Sequence, residues 1–410
     1  MSAQNAAPPA PTPILSLGDA LRRAAEQNPR LAAQGYAERA AEALIEQAGL
    51  RPNPTLEASL ENVMGTGRTQ GVRSLEATVQ ASQTFERGGK REKRVALASR
   101  EREAAAMEFA VQRGEILADS ASAYVAVLAA QQRLALAAEP LRLARDTVAA
   151  VDARVRAAFA PPAEAARARA ALAFAQADYA RGEAGLAQAR TVLAATWGGA
   201  PAEVSTVAGA LQVPAALPAQ DIFLAKLARH PRLDLQQAIV AGRRAALQLQ
   251  QAQATQDVTV GGGLRFLRDG TDAAFVGGVS LPIPFRNKNQ GNIRAARETL
   301  AGAEQSVRAV EVELRVAFTA AWQDLAAAHA AAQALRRDAL PATQEAYNAV
   351  RFAYEQGQLP LIDVLDAQRA LVAVRRELLD TEAAYAAALA RTEALTDASF
   401  PAVSALISQP

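Results

Sequence analysis

SLEATVQASQTF, residues 74–85, carries an alternation: Leu75, Ala77, Val79 and Ala81 are apolar, and Glu76, Thr78, Gln80 and Ser82 between them are polar. Side chains of a strand point to opposite faces in turn, so this stretch reads as a strand with one greasy and one wet face. Residues 55–62 repeat the pattern, with Leu56, Ala58 and Leu60 against Glu57, Ser59 and Glu61. Two further stretches do the same, one through Val258, Val260, Leu264 and Phe266, the other through Phe275, Val279, Leu281 and Ile283. Runs of about 9–11 residues of this kind are the mark of a membrane β-barrel, while a single one would equally suit a half-buried soluble strand.

The four strands fall in two pairs because the chain is written twice. Asp19 and Asn28-Pro29-Arg30-Leu31 recur as Asp221 and His230-Pro231-Arg232-Leu233. Phe85 recurs as Phe285, Arg94 as Arg294 and Pro140 as Pro341; Glu164, Ala168 and Leu172 recur as Asp363, Ala367 and Leu371. A steady offset of about 200 residues means two copies of one structural unit, not a solenoid of short repeats. The expected organisation is a Pro-rich tail over 1–15, a first repeat over 16–205 with strands at 55–63 and 74–85, and a linker over 206–218. A second repeat follows over 219–397, with strands at 257–267 and 273–283, then a C-terminal tail over 398–410.

Outside the strands the pattern is helical. Each repeat opens with a helix of about 35 residues (17–50 and 219–255) and continues, past its strands, into a helical region of about 70 residues, on the order of 100 Å at 1.5 Å per residue. Pro140 and Pro341 are expected to kink or interrupt these at equivalent heights. In the last helix Val364-Leu365, Leu371-Val372 and Leu378-Leu379 recur every seven residues. Two apolar neighbours per heptad make a stripe that touches partners on two sides, which suits a closed ring of helices. Abundant alanine and few aromatic residues fit closely packed helices better than a thick globular core.

Four strands cannot close a barrel, for which about eight is the practical minimum, and open edges are not tolerated in lipid. Strands in a membrane must therefore be pooled among chains, and three copies would give about twelve. No run of about 18 strongly apolar residues suggests a membrane helix. The N-terminus lacks a basic and then apolar leader, so an exported form would have lost its signal or carry it upstream.

Chemistry is sparse. There are no cysteines and two histidines, His230 and His329, so thiolate and the usual transition-metal sites have no support. No nucleophile–base set emerges; no catalytic residue, resident metal or cofactor is expected. A net charge of +2 without a long basic run excludes a nucleic-acid surface. Gly261-Gly262-Gly263 lacks the GK[ST] of a phosphate loop and lies in a strand, where it allows curvature or close packing. Lys90-Arg91 and Lys93-Arg94 read as a solvated face within reach of lipid headgroups.

Five stretches in this order carry a family resemblance: SLGDALRRAAEQNPRL (16–31), RPNPTLEASLEN (51–62), FERGGKREKR (85–94), LPIPFRNKNQGNIRAA (281–296) and YEQGQLPLIDVLDAQRAL (354–371). With the duplication they resemble the TolC-type outer-membrane efflux channels over roughly residues 15–397, on the heavy-metal (cobalt–zinc–cadmium) resistance branch. The resemblance implies a mainly α homotrimer with a small β part. Long coiled-coil hairpins form a periplasmic tunnel, and a twelve-stranded barrel sits in outer-membrane lipid. It implies docking onto a periplasmic adaptor and an inner-membrane pump, and passive conduction of heavy-metal cations, drugs or solvents being the alternative cargo.

By the same resemblance Asp363 and Asp366, with Glu164 as first-repeat counterpart, form the channel constriction. First-turn acids also simply favour the helix dipole. Tyr354, Gly357 and Pro360, with Ala158 and Pro161 in the first repeat, mark the periplasmic tip turns where an adaptor docks. Gly357 reads as a positive-φ helix cap. The first repeat has Ala158 there, so its turn is expected to rely on Pro161-Pro162. A soluble coiled-coil scaffold or adaptor without channel activity remains the competing reading, although it leaves the four matched strands unexplained.

Overall fold

The computed structural model describes residues 14–396 and 399–408. The chain forms two compact units, each drawing on both repeats: Met1–Ala33, Ala110–His230 and Glu311–Pro410 in one, Gln34–Phe109 and Pro231–Val310 in the other. The expected N-terminal tail lies largely outside the described residues.

In chain order the elements are α1 (Leu17–Gln27), α2 (Pro29–Gly49), β1 (Thr55–Glu61), β2 (Glu76–Phe85), α3 (Lys90–Arg156), α4 (Pro162–Ala195) and α5 (Gln220–Leu227). Then come α6 (Pro231–Gln253), β3 (Val258–Leu267), β4 (Asp272–Ser280), α7 (Gln290–Ala334), α8 (Leu340–Glu355), α9 (Leu361–Ala394) and α10 (Pro401–Ser408). Each opening helix is broken at its Pro-Arg-Leu: α1 gives way to α2 at Asn28, and α5 to α6 just before Pro231. Proline suits a first helical position, where its missing N–H is not needed. The Asn28 side chain caps α2, its Oδ1 accepting from the Arg30 N–H at 2.7 Å.

The second unit is built on one antiparallel sheet in the order β1-β2-β3-β4. β2 and β3 join the two repeats, with Phe85 opposite Val258 and Glu76 opposite Leu267. Thr55 faces Ser82 and Thr259 faces Ser280, so β1 and β4 are the edges. This register sorts the side chains. Leu56, Leu60, Val79, Val260, Leu264, Phe266, Phe275 and Val279 share one face, and Glu57, Glu61, Glu76, Thr78, Gln80 and Arg265 share the other. Gly263 is required by crowding: a Cβ there would stand 2.2 Å from the Val79 carbonyl oxygen.

The first unit holds the main core. Tyr124 is fully buried, its hydroxyl 3.0 Å from the Leu15 carbonyl oxygen and 2.8 Å from that of Ala208. Burial pushes this phenol up to about 12, so it stays a neutral donor. Leu15 bridges Val207 in parallel beside it. The stretch expected as a linker is thus tied down: Val207, Leu211 and Val213 are buried, and Gln333 and Arg336 donate to the carbonyls of Pro214 and Val213 at 3.0 and 3.2 Å. His329 Nε2 lies 2.9 Å from the same Pro214 oxygen, a packing role.

Two expectations are corrected. α3 runs unbroken through Pro140, whereas at Pro341 the preceding turn, Leu335–Ala339, widens to a π turn. A wider turn moves carbonyls away from a proline ring that would otherwise clash. The stretch read as a C-terminal tail contains α10, with Phe400, Val403, Leu406 and Ile407 buried. The buried Glu393 carboxylate caps it, accepting from the N–H groups of Ala402 and Val403 at 2.7 and 2.9 Å. Glu393→Ala should lower stability by about 2–3 kcal/mol, because charge-assisted bonds to a helix start are lost. The check is thermal melting together with protease cleavage near residue 400, which should become faster than in the wild type.

Candidate functional site: the hairpin tips and the two-faced sheet

Both helical hairpins turn by the same device. After α3, the Phe159 N–H reaches back to the Arg154 carbonyl (2.8 Å) and the Ala158 N–H to that of Val155 (3.0 Å). After α8, the Gln358 N–H bonds the Ala353 carbonyl (2.9 Å) and the Gly357 N–H that of Tyr354 (2.9 Å). These paired bonds are a Schellman cap, which needs a left-handed residue just past the helix. Gly357 supplies it at φ 76°, and Ala158 supplies it at φ 60°. The first turn therefore relies on a strained alanine where prolines were expected to substitute. Pro161 caps the start of α4 and Pro360 that of α9.

Behind the turns, Val151 of α3, Ala165 and Ala168 of α4, and Leu361 and Leu365 of α9 make a small buried cluster, with Tyr354 packed against it. Arg154 donates to the Tyr354 hydroxyl at 2.7 Å and lies over its ring, 5.8 Å from the centroid. This contact ties the first hairpin to the second. Sequence reasoning had named Tyr354 but missed Arg154, which no pattern in the chain distinguishes from its arginine neighbours.

The acids are placed as follows. Glu164 and Asp363 stand in the first turns of α4 and α9, and Asp366 lies one turn further along α9. Asp363 is half-buried, and has no ion pair among the described residues. Asp366 is exposed and pairs with Arg369 at 2.8 Å, so part of its charge is compensated within the chain. One oxygen of Glu164 is buried with no hydrogen-bond partner among the described residues. Above them α3, α4 and α9 border a groove of about 1070 Å³ floored by alanines and by Gly182 and Gly185. Arg133–Asp380 (2.7 Å) and Arg376–Asp178 (2.9 Å) bridge its rim.

The sheet is the second functional element. Its apolar face is bare: Phe275 is 91% exposed, Leu56 77% and Val279 71%. On the polar face Arg265 bonds Glu76 at 3.0 Å and the Thr78 hydroxyl at 3.1 Å, and Gln80 bonds Glu57 at 3.1 Å. Among the described residues no helix is long and apolar enough to cross a membrane. A sheet greasy on one side, internally bonded on the other and unpaired at both edges belongs to the class of outer-membrane channel subunits.

Comparison with known proteins agrees. The family described as "Outer membrane efflux protein" matches residues 20–199 and 224–397, one match per repeat, and the chain belongs to this family. It is 31% identical over 361 residues to the cobalt-zinc-cadmium resistance protein CzcC of Cupriavidus metallidurans, covering 88% of this chain and 85% of that protein. The nickel and cobalt resistance protein CnrC of the same organism is 30% identical over 300 residues, 73% of this chain and 71% of that one. Among solved structures the outer-membrane channel OprN shares the fold, with a TM-score of 0.78 at 18% identity over 94% of this chain and 90% of that one. The soluble-scaffold reading gives way to an outer-membrane efflux channel.

At the tips, Ala158→Gly should stabilise by about 1 kcal/mol and Gly357→Ala should cost a similar amount, because only glycine takes positive φ freely. Opposite shifts in melting temperature check this; equal shifts would mean that the two turns are not the same motif.

Proposed function

We propose that three copies close their four-stranded sheets into one twelve-stranded barrel, edge β1 of each chain pairing with edge β4 of the next. The observation that carries this reading is the sheet itself, whose bare apolar face and two free edges each demand a partner that a single chain lacks. Lipid covers the apolar face, and the face with Glu57, Glu61, Glu76 and Arg265 lines the lumen. The repeats of each chain then act as two pseudo-equivalent sectors of the ring, residues 16–205 and 219–397.

At the hairpin tips Asp363, reinforced by Asp366 and Glu164, forms the constriction. Asp363 carries most of this effect, since Arg369 offsets Asp366. Carboxylates around an axis attract cations and repel anions, which suits heavy-metal cations as cargo, in keeping with the names of CzcC and CnrC. The channel does no chemistry. It conducts passively, and energy comes from an inner-membrane pump joined through a periplasmic adaptor. The adaptor docks at the tip turns around Ala158, Pro161, Tyr354, Gly357 and Pro360.

The protein expressed with an export signal should be extracted only by detergent and should run as a trimer in SDS until heated. In planar bilayers Asp363→Asn combined with Asp366→Asn should lower the preference for cations over anions several-fold, with the open pore intact. A water-soluble monomer would sink the barrel. Unchanged selectivity would remove the constriction from these residues.

A further inference from the structure

Every part of the sheet that leads into a helix lies at one end: Thr55, Phe85, Val258 and Ser280 share it. There the run of large apolar residues does not stop with the last strand hydrogen bond. Alternation continues past β4 through Leu281, Ile283 and Phe285, and Ile283 and Phe285 are 85% and 84% exposed although neither lies in a paired strand. Phe85, the first-repeat counterpart of Phe285, is exposed at the end of β2, opposite Val258.

Immediately beyond this greasy rim the chain turns basic. Lys90 and Arg94 are used internally, Lys90 pairing with Asp257 at 2.8 Å and Arg94 with Glu86. Arg87, Arg91, Arg286 and Lys288 are exposed and form no ion pair among the described residues. Arg286 also borders a cavity of about 630 Å³, shared with the amide side chains of Gln253, Gln256 and Asn287 and with the apolar Ile283. Guanidinium and amide donors above apolar side chains match one chemistry: a phosphodiester headgroup above acyl chains.

We propose that this rim binds anionic glycerophospholipid in the membrane leaflet on the side of the helices. Phosphate sits at Arg286 and Lys288, with Arg87 and Arg91 extending the cationic band, and the acyl chains lie along Ile283, Phe285 and Phe85. The occupant is lipid because the cations continue directly from the apolar face that the barrel gives to the bilayer, an assignment that rests on the barrel reading above. Aromatic and long basic side chains settle at such a boundary, the rings at headgroup level and the charges reaching up to phosphate. The site fixes the depth of the barrel in the membrane, and with it the height at which the helices leave the membrane.

The test reconstitutes wild-type trimer into phosphatidylcholine nanodiscs with and without phosphatidylglycerol. It measures the phosphatidylglycerol retained per trimer by native mass spectrometry and the temperature at which the SDS-resistant assembly dissociates. Wild type should enrich phosphatidylglycerol and dissociate at a higher temperature in its presence. Arg286→Gln with Lys288→Gln should lower retention about fivefold per cation removed and abolish the thermal gain, with stability in phosphatidylcholine alone unchanged. Arg286→Lys should keep most of the effect. Equal retention in wild type and the double variant overturns the site. So does a trimer that forms and conducts but ignores phosphatidylglycerol, and that result leaves the channel standing. Failure to form a trimer or conduct at all would overturn the barrel instead.

Discussion

A peptide group in hydrocarbon has no water to bond, and this sets the terms for the whole molecule. β1 and β4 each present a row of unpaired N–H and C=O groups, and the face between them is covered with leucine, valine and phenylalanine. Either feature alone would be a liability in water. Together they favour the closed ring of sheets, with lipid outside, that we propose. The polar face is prepared for that ring: Arg265, Glu76 and Thr78 already satisfy one another within the chain. Their charges therefore do not depend on the neighbouring copy.

The duplication shows which features the structure holds fixed and which it lets drift. Both repeats keep the Pro-Arg-Leu helix start and the Schellman turn at the tip, because both are backbone geometries with few alternatives. Side-chain identity is looser. Ala158 takes the left-handed conformation that Gly357 takes freely, and the two prolines are absorbed differently, one inside a continuous helix and one behind a π turn. At the tips only the first-turn acid is kept, Glu164 answering to Asp363, while Arg167 stands in the first repeat where the second has Asp366.

Strict alternation made the strands legible, since a period of two has no other cause than a two-faced strand, and the heptad pairs of α9 announced helices packed on two sides. The candidate tip residues came with the family resemblance, and their partners could not. Arg154 meets Tyr354 only because two hairpins lie side by side, a relation that local periodicity does not contain. The same holds for the compact units, which each gather segments from both repeats. The helix after Pro401 was hidden for a different reason: its eight residues are too few to display a period, and its stability comes from a buried carboxylate in α9.

The core around Tyr124 also fixes a sequence of events. Its hydroxyl lies between Leu15 and Ala208, and Gly209 is pressed so closely against Ile407 that a methyl group would not fit between them. Leu15, Tyr124, Val207 and Ile407, far apart in the sequence, lie in one cluster. This core consequently cannot close until the segment carrying Ile407 has been made, long after Leu15 and Tyr124. Late closure thus leaves Leu15 and Tyr124 waiting for their last partner while the second repeat is still being made.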